Sequence, residues 1–431
     1  MPKRLLILTY YWPPSGGSGV QRWLKFAKYL REFGWEPVIY TPQNPEVAMV
    51  DETLSTDIPQ GVEVLKRNIF EPYRLFRLFT RQKGKMGVGF TSHEGSAKGV
   101  VGRLALWVRA NLFIPDARMF WVKPSVRFLT KYLIQHPADA VVSTGPPHSM
   151  HLIARGLKQK LGIKWMADFR DPWTNIDYFI DLPLAARALK KHRRLEHDVL
   201  VSADEVVVVG SQMQNEFEQT SSRKVHIITN GYDETDFPTQ LASPDAQFTI
   251  THVGTIPPNR NSELLWQALS HLVNSNNDIA KQLKIQLVGN VDKLVIDQIS
   301  QYNLTPYCQQ LGYLSHAQSL QLMQRSQILL LLVNNSPNAK GILTGKVFEY
   351  LAARRPILAI GPLDGDVDNL LKETKAGVTA NFSNYDDILN NLTWLWDEYE
   401  QGFPSLQNID ATAYSRKNLT GRLVEILDNL S

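Results

Sequence analysis

The chain has 431 residues and a mass of 48.9 kDa, which is enough for two or three domains with a core each. Its single cysteine, Cys308, excludes a disulfide framework and a thiolate metal cluster. No apolar run approaches the roughly 18 residues that cross a membrane. The composition therefore predicts a cytoplasmic protein without a metal site, which is soluble or at most attached to a membrane surface.

The first half of the chain alternates predicted strands with predicted helices, which is typical of a parallel sheet covered on both faces. Predicted strands lie at residues 5–9, 35–40, 62–66, 138–144, 163–167, 205–209 and 225–229. Predicted helices lie at residues 20–33, 100–113, 121–135, 149–161 and 184–202, and from residue 211. The loop after the first strand contains Gly16, Gly17 and Ser18, where glycines allow close approach to a phosphate. Its spacing is not the dinucleotide fingerprint, so we expect no nicotinamide site.

A basic segment lies between residues 66 and 131, where fourteen Lys and Arg accompany three acidic residues. Aromatic and aliphatic side chains alternate with the charges at residues 73–79 and 104–113, and residues 84–102 have the composition of a flexible insertion. This pattern fits docking on an anionic membrane surface, and a solvated basic face explains it equally well. Nucleic-acid binding is not expected, because no recognition motif accompanies the charge.

A second alternating series follows a segment rich in breakers at residues 234–247. Predicted strands lie at residues 248–253, 285–288, 308–311, 328–333, 356–360 and 378–381. One predicted helix begins at residue 262, a second ends at residue 302, and a third begins at residue 315. Further predicted helices cover residues 344–353 and 385–400, and the tail 413–429 is amphipathic. We therefore predict a first domain at residues 1–240, a second at residues 241–400, and a helical tail at residues 401–431 that packs back on the first domain.

The stretch from residue 328 to residue 361 predicts a strand, a loop, a helix and another strand. Thr344, Gly345 and Lys346 lie at the start of that helix, where unpaired N–H groups and the helix dipole suit a diphosphate. Glu349, one turn further on, is placed to accept hydrogen bonds from a sugar diol. Together they predict a nucleotide site. The alternative is that Lys346 and Glu349 form an exposed pair, worth about 0.3–0.5 kcal/mol.

Five motifs together resemble a retaining glycosyltransferase of family four, and the resemblance covers nearly the whole chain. The motifs are residues 13–17, 168–173, 229–233, 252–255 and 346–351. The resemblance implies a GT-B fold, in which two doubly wound, Rossmann-like α/β domains face a central cleft. It also implies transfer of a sugar, with retained anomeric configuration, from a nucleotide-diphosphate donor on the second domain to an acceptor on the first.

The resemblance assigns roles to particular residues. Glu349 matches the second glutamate of the family's Glu-seven-residues-Glu motif, which holds the donor ribose. Gly16, Gly17 and Ser18 form the loop that closes on the diphosphate. His148 resembles the active-site histidine that faces the donor sugar. The positions whose backbone approaches the diphosphate are matched by Thr344, Gly345 and Lys346.

The sequence departs from the family at two places. The first motif glutamate falls at Gly341, which has no carboxylate. The usual Gly-Arg pair is Gly254-Thr255, so we expect Arg260 and Lys346 to supply the positive charge. Preorganised cations and helix N–H groups then stabilise the leaving diphosphate without a metal or another cofactor.

Several residues keep two interpretations. The end of a predicted strand carries Asp168, Arg170 and Asp171, and in one interpretation these residues bind the acceptor. In the other, Asp171 simply caps a turn before Pro172. His148 is an active-site group or a satisfied loop histidine. Residues 364–366 resemble an Asp-x-Asp metal motif, but their position before a helix predicts an N-cap.

The predicted function is therefore a metal-independent glycosyltransferase that builds a surface polysaccharide or lipid-linked glycan at the cytoplasmic face of a membrane. A nucleotide-sugar epimerase of the same architecture is the competing enzymatic function. A scaffold without activity is the other alternative, because Gly341 replaces a motif glutamate.

Overall fold

The computed structural model describes residues 2–47, 49–71, 100–176, 179, 182–237, 242–406 and 408–430. The aromatic stretch 73–79 and residues 84–99 of the predicted insertion lie outside the described residues. The chain forms two units, the first of residues Met1–Thr229 and Leu419–Ser431, the second of residues Asn230–Asn418.

The first unit contains one parallel sheet of seven strands. The strands are β1 (Lys3–Leu8), β2 (Trp35–Pro42), β3 (Glu63–Arg67), β4 (Ala140–Gly145), β5 (Lys164–Phe169), β6 (Glu205–Val208) and β7 (His226–Ile227). The helices are α1 (Ser18–Leu30), α2 (Val100–Leu112), α3 (Met119–Gln135), α4 (Ser149–Leu161), α5 (Ala186–Ser202) and α6 (Ser211–Ser221). The strand order is β3-β2-β1-β4-β5-β6-β7, so β1 and β4 are neighbours at the centre.

Strand β1 shows why the sheet is buried on both faces. Leu6 and Leu8 pack into one hydrophobic cluster, and Leu5 and Ile7 pack into another, because successive side chains point to opposite faces. The turn after α1 ends at Gly34, which has a left-handed φ of 81°.

The second unit contains a parallel sheet of six strands. The strands are β8 (Phe248–Val253), β9 (Leu283–Val288), β10 (Cys308–Gly312), β11 (Ile328–Leu332), β12 (Ile357–Gly361) and β13 (Gly377–Asn381). The helices are α7 (Glu263–Ser275), α8 (Asn277–Gln282), α9 (Lys293–Gln301), α10 (His316–Arg325), α11 (Gly345–Ala353), α12 (Asp366–Thr374), α13 (Tyr385–Glu400) and α14 (Arg416–Asp428). The strand order is β10-β9-β8-β11-β12-β13.

The last helix, α14, continues into the first unit from Leu419 onward. Leu419, Leu423 and Leu427 belong to the same buried cluster as Trp23 and Trp35. Their spacing of four residues places them on one side of the helix, which explains the amphipathic pattern of the tail.

The prediction of two series of alternating strands and helices is confirmed, because the chain contains two α/β units with a parallel sheet each. Helix α8 was not predicted, because six residues are too few to show a hydrophobic period. Its one sequence signal is Asn276, whose side chain accepts hydrogen bonds from the N–H groups of Asp278 and Ile279.

Candidate functional site

Strands β8 and β11 are neighbours in the second sheet, and the chain leaves them toward opposite edges of that sheet. Their pairing covers only two residues of each strand and ends at Thr251 and Leu329, so their carboxyl ends separate. In open α/β sheets, ligands bind at such a switch point. The loops that follow these two strands carry Thr255, Arg260 and the start of helix α11.

Helix α11 begins at Gly345, and Thr344 is its N-cap. No side chain caps the helix, and no acidic residue lies in its first turn. Oγ1 of Thr344 is buried without a hydrogen-bond partner among the described residues. This end of the helix therefore has the free N–H groups and positive dipole that bind an anion.

Tyr350 fixes helix α11 to the sheet. Its hydroxyl accepts a hydrogen bond from the backbone N–H of Val253 at 2.9 Å and donates to the carbonyl of Leu330 at 3.3 Å. Burial raises the pKa of Tyr350, so the phenol stays protonated. The hydroxyl thus satisfies a backbone group at the point where β8 and β11 separate.

Glu349 lies one turn into helix α11 and contacts two basic side chains. Nε2 of His316 lies 3.4 Å from its Oε1, and Nζ of Lys346 lies 3.5 Å from its Oε2. Only 16% of the Glu349 side chain is exposed, whereas 67% and 74% are exposed in Asp278 and Lys281, an ion pair of the same spacing. Glu349 is therefore a largely buried carboxylate rather than a member of a solvated surface pair.

The charges around Glu349 keep it ionised. Burial alone would raise the pKa of Glu349, but the contact with His316 and the charge of Lys346 outweigh it and lower the pKa. Apart from the ion pair with Lys346 at 3.5 Å, buried Oε2 has no partner among the residues that the structure describes. Because a carboxylate has about four acceptor positions, Glu349 keeps the capacity to bind two hydroxyl groups.

Gly254 brings Lys346 and His252 close together. Its φ of +142° is rarely adopted by a residue with a side chain. A Cβ atom at Gly254 would lie 3.5 Å from Cε of Lys346 and 3.5 Å from Nε2 of His252. The two side chains therefore border one small space above this glycine.

His252 presents a hydrogen-bond acceptor to that space. Nδ1 lies 2.9 Å from the carbonyl oxygen of Leu330, which only accepts, so Nδ1 carries the proton. Burial lowers the pKa of His252 to about 4, and the charges of Arg260 and Lys346 act in the same direction. Nε2 is therefore unprotonated and makes no hydrogen bond of regular geometry within the described part of the chain, although the backbone of Thr255 also acts on the ring.

Arg260 joins the loop after β8 to the loop after β11. Its Nε donates to Oδ1 of Asn334 at 2.5 Å, and one of its terminal nitrogens donates to the carbonyl of Thr255 at 3.3 Å. The N–H of Asn335 donates to the carbonyl of Asn259 at 2.8 Å, so the two loops are also joined by their backbones. The structure thus brings the candidate residues of the second unit together at one sheet edge.

The N-cap of α12 lies within residues 364–366, where the sequence predicts it, but it falls on Gly365, and no aspartate side chain caps the helix. A Cβ atom at Gly365 would lie 3.1 Å from the carbonyl oxygen of Lys340, so the close approach of two loops favours glycine there. Lys340 belongs to the turn Ala339–Gly341. Among the described residues, no group of three His, Cys, Asp or Glu side chains is arranged to hold a metal ion.

In the first unit, the glycine-rich loop follows β1 at the corresponding switch point between β1 and β4. Gly17 is the N-cap of α1 with a φ of 94°, and no acidic residue lies in the first turn of this helix. The N–H of Gly16 donates to the carbonyl of Met49 at 2.9 Å, and a Cβ atom at Gly16 would lie 3.1 Å from Cβ of Asp51. Ser18 is the first residue of α1.

Arg170 connects three loops at this edge. Its guanidinium donates to the carbonyl of Gly19 at 2.9 Å and to the carbonyl of Pro146. Its backbone N–H donates to the carbonyl of Gly145 at 2.9 Å. Arg170 therefore holds the loop after β4 and the start of α1 in place, and Asp171 is exposed beside it.

His148 is the N-cap residue of α4 and is nearly buried, with 7% of its surface exposed. Its ring stacks on Trp173 with centroids 4.5 Å apart. Burial lowers the pKa of His148 well below its usual value, and neighbouring His151, His192 and Arg170 lower it further. Nδ1 is buried and has no hydrogen-bond partner in the described ranges. The ring is thus neutral, and the description of a fully satisfied loop histidine does not fit it.

Asp168 does not reach an acceptor, because its side chain is 0% exposed. It accepts hydrogen bonds from Arg22 at 2.7 Å, from Nε1 of Trp23 at 2.7 Å and from Oγ1 of Thr144 at 2.8 Å. Arg22 also donates to the carbonyls of Ile228 and Thr229. Asp168 is therefore part of a buried network that holds β5, α1 and the chain after β7 together.

His316, which contacts Glu349, was not predicted as a site residue from the sequence. One signal was available, because His316 begins a helix directly after the predicted strand 308–311, at a carboxyl end of the sheet. Glu196 of α5 was not predicted either. Its carboxylate accepts hydrogen bonds from the N–H and Oγ1 of Thr174 at 3.0 and 2.6 Å.

The family described as Glycosyl transferase 4-like domain matches residues 16–231, which is half of the chain. The chain therefore belongs to this glycosyltransferase family. No curated protein matches the sequence significantly.

Solved structures show the same fold along the whole chain. A glycosyltransferase from Rickettsia africae ESF-5 is similar with a TM-score of 0.64 and 14% identity, over 100% of this chain and 98% of that one. HepE from Anabaena, in complex with UDP, is similar with a TM-score of 0.64 and 15% identity, over 99% of this chain and 100% of that one. Sucrose-phosphate synthase from Thermosynechococcus elongatus is similar with a TM-score of 0.62 and 12% identity, over 99% of both chains. The predicted GT-B fold is confirmed.

No helix in the described ranges is both long and apolar enough to cross a membrane.

Proposed function

We propose that this glycosyltransferase moves a sugar from a nucleotide-diphosphate sugar to a glycan or lipid-linked acceptor, with retained anomeric configuration, in the synthesis of a surface polysaccharide. The observation that carries the proposal is the start of helix α11. Within one turn it combines an uncapped helix end, Lys346 and the ionised, largely buried Glu349. HepE from Anabaena has been crystallised with UDP and with UDP-glucose, which supports a nucleotide sugar as donor.

In this proposal, the bond between the anomeric carbon and a phosphate oxygen breaks, a bond to the oxygen of an acceptor hydroxyl forms, and the proton of that hydroxyl passes to the departing phosphate. The leaving diphosphate gains negative charge. The backbone at Thr344 and Gly345, with Lys346 and Arg260, stabilises that charge without a metal, and Glu349 holds the ribose diol. Thr255 lies in the same loop as Arg260, whose side chain it binds through its carbonyl.

We propose catalytic and acceptor-positioning roles in the first unit for His148, Arg170 and Asp171. The lowered pKa of His148 leaves a neutral imidazole that is able to accept a hydrogen bond from a hydroxyl group. Arg170 orders the loops on either side, through its bonds to Gly19 and Pro146. The residues proposed to approach the diphosphate from this unit are Gly16, Gly17 and Ser18.

Calorimetric titration with UDP, GDP, ADP and dTDP tests the donor site. At least one nucleotide should bind with micromolar affinity, and Lys346→Ala and Glu349→Ala should each weaken binding about tenfold or more. Lys281→Ala is the matched control, since Lys281 forms an exposed ion pair of the same spacing. Absence of binding by all four nucleotides would contradict the proposed donor site and favour the scaffold.

Incubation of the enzyme with the donor that binds, with and without candidate acceptors, tests the reaction. Transfer should depend on an acceptor, should give the donor's own anomeric configuration by NMR, and should continue in EDTA. Release of free nucleotide at the full rate without any acceptor would favour the epimerase. Loss of turnover in EDTA would contradict the proposed metal-independent chemistry.

We also propose that the first unit docks on an anionic membrane surface. Helix α2 exposes three large apolar side chains, with 59% of Leu104, 43% of Trp107 and 57% of Leu112 accessible. The start of helix α5 is joined to the end of α2, because Asn111 of α2 bonds to the carbonyl of Pro183 and the N–H of Ala185, directly before α5. The exposed cations of α5 at helical spacing are Arg187, Lys190, Lys191 and Arg194. Apolar side chains beside cations fit an anionic bilayer.

Flotation with vesicles tests this surface. Binding to vesicles with 30% phosphatidylserine, but not to pure phosphatidylcholine, is expected for the wild-type chain (about 1 kcal/mol is expected for each lysine near the surface). The double variant Lys190→Glu/Lys191→Glu should no longer bind these vesicles. The control double variant Lys281→Glu/Lys293→Glu should bind them as the wild type does. Equal flotation with both lipids, or none, would overturn the membrane proposal and leave the donor site unaffected.

A further inference from the structure

His316 reaches the candidate nucleotide site from a helix that contains none of the five motifs. It is the first residue of α10, whose first turn is fixed by a capping box. Oγ of Ser315 accepts from the N–H of Gln318 at 3.3 Å, and the N–H of Ser315 donates to Oε1 of Gln318 at 3.0 Å. The backbone that presents His316 is therefore well defined.

From this position the imidazole contacts Glu349 of α11. Nε2 lies 3.4 Å from Oε1 of Glu349, while Lys346 lies beside the other oxygen. The third charged group that acts on His316 is Asp236, from the turn Glu234–Asp236. The carboxylate is therefore held between two basic groups, one on each oxygen, which restricts its rotation.

We propose that His316 is a positioning residue of the donor site, whose protonated ring orients the Glu349 carboxylate for the ribose diol. This inference rests on the proposed function, in which Glu349 binds the ribose. Each carboxylate oxygen has two acceptor positions, so the contact with His316 leaves room for a hydroxyl on the same oxygen. The imidazolium also adds positive charge close to where the diphosphate would bind.

The proposal has a definite pH consequence. The contact with Glu349 raises the pKa of His316, so its charge persists to higher pH than in an ordinary histidine. If the charged ring favours donor binding, donor affinity falls as the pH rises through the pKa of His316, because the two equilibria are linked. His252 does not contribute to this change, since its pKa is about 4.

The test is calorimetry with UDP-glucose, GDP-mannose and ADP-glucose at about pH 6 and about pH 8.5. The diphosphate of these compounds is substituted at both ends and does not titrate in this range, unlike the terminal phosphate of a free nucleoside diphosphate. For the wild-type chain, we expect the Kd of the bound compound to rise about fivefold between the two pH values. The His316→Gln variant should bind the compound with the same Kd at both pH values, because glutamine donates a hydrogen bond without titrating.

His271→Gln is the matched control, since His271 is an exposed histidine on α7 of the same unit. It should keep the pH dependence of the wild type. Almost half of the His316 side chain is exposed, so replacement with glutamine should leave the thermal midpoint unchanged at both pH values. An unchanged pH dependence in His316→Gln would overturn this inference alone. Absence of binding by all three compounds at both pH values would overturn the proposed function as well.

Discussion

The hydroxyl of Tyr350 lies 2.9 Å from the backbone nitrogen of Val253, and this bond ties the helix of the candidate donor site to the end of strand β8. The same hydroxyl reaches the carbonyl of Leu330 on β11. One side chain therefore sets the position of helix α11 relative to both strands of the switch point. The directions of Lys346 and Glu349 depend on that position.

Tyr350→Phe should destabilise the second unit by roughly 1–3 kcal/mol, because the N–H of Val253 would stay buried without a partner. Urea unfolding measures this change. Tyr313→Phe is the control, since 85% of Tyr313 is exposed and its replacement should change the free energy of unfolding by less than about 0.5 kcal/mol. Equal effects of the two substitutions would show that the Tyr350 hydroxyl does not hold the helix.

Asp168→Asn should destabilise the first unit by about 3–5 kcal/mol, because it leaves the buried charge of Arg22 without its counterion. The urea midpoint of this unit is the measurement. Asp278→Asn removes one partner of an exposed ion pair and should cost at most about 0.5 kcal/mol. A stable Asp168→Asn variant would mean that the backbone carbonyls alone suffice to hold Arg22.

Glu196 should make the stability of the first unit depend on pH. Burial raises the pKa of Glu196 to about 7, from 4.5 for an ordinary glutamate, although the bonds from Thr174 oppose this rise. The unfolded chain therefore loses its proton at lower pH than the folded chain. As a result, the free energy of unfolding falls as the pH rises from about 4.5 to about 7.

Glu196→Gln cannot ionise, so its stability relative to the wild type should increase between about pH 5 and about pH 8, by roughly 3 kcal/mol at most. Urea unfolding at the two pH values measures the difference. Glu373→Gln, at an exposed position of α12, should show no such trend. If the difference between Glu196→Gln and the wild type is the same at both pH values, Glu196 does not titrate with a raised pKa.

The strands and helices were largely predictable, because each depends on a local signal. The apolar run of β11 matches a strand buried on both faces, and Gly34 matches a left-handed helix end. The start of α11 was predicted to within one residue, because the helical period of its apolar side chains begins after Thr344.

The partners of the site residues were not predictable, because they depend on which strands become neighbours. Glu349 meets His316 across 33 positions of sequence, and Tyr350 meets Val253 across 97. Asp168 looked like a ligand group at a strand end, yet α1 supplies Arg22 and Trp23 to bury it. The N-cap of α12 falls on Gly365 of the predicted motif rather than on an aspartate, and another loop approaches this glycine closely.

The contact between Glu349 and a ribose is the central claim, and one comparison of ligands tests it most directly. Calorimetry is carried out with the nucleoside diphosphate that binds and with its 2′,3′-dideoxy analogue, on the wild type and on Glu349→Ala. The wild type should prefer the ribose form by about tenfold or more, since two hydroxyls bond to an ionised carboxylate. In Glu349→Ala, the two ligands should bind equally. A preference that survives unchanged in Glu349→Ala would contradict the account, because another group would then hold the ribose.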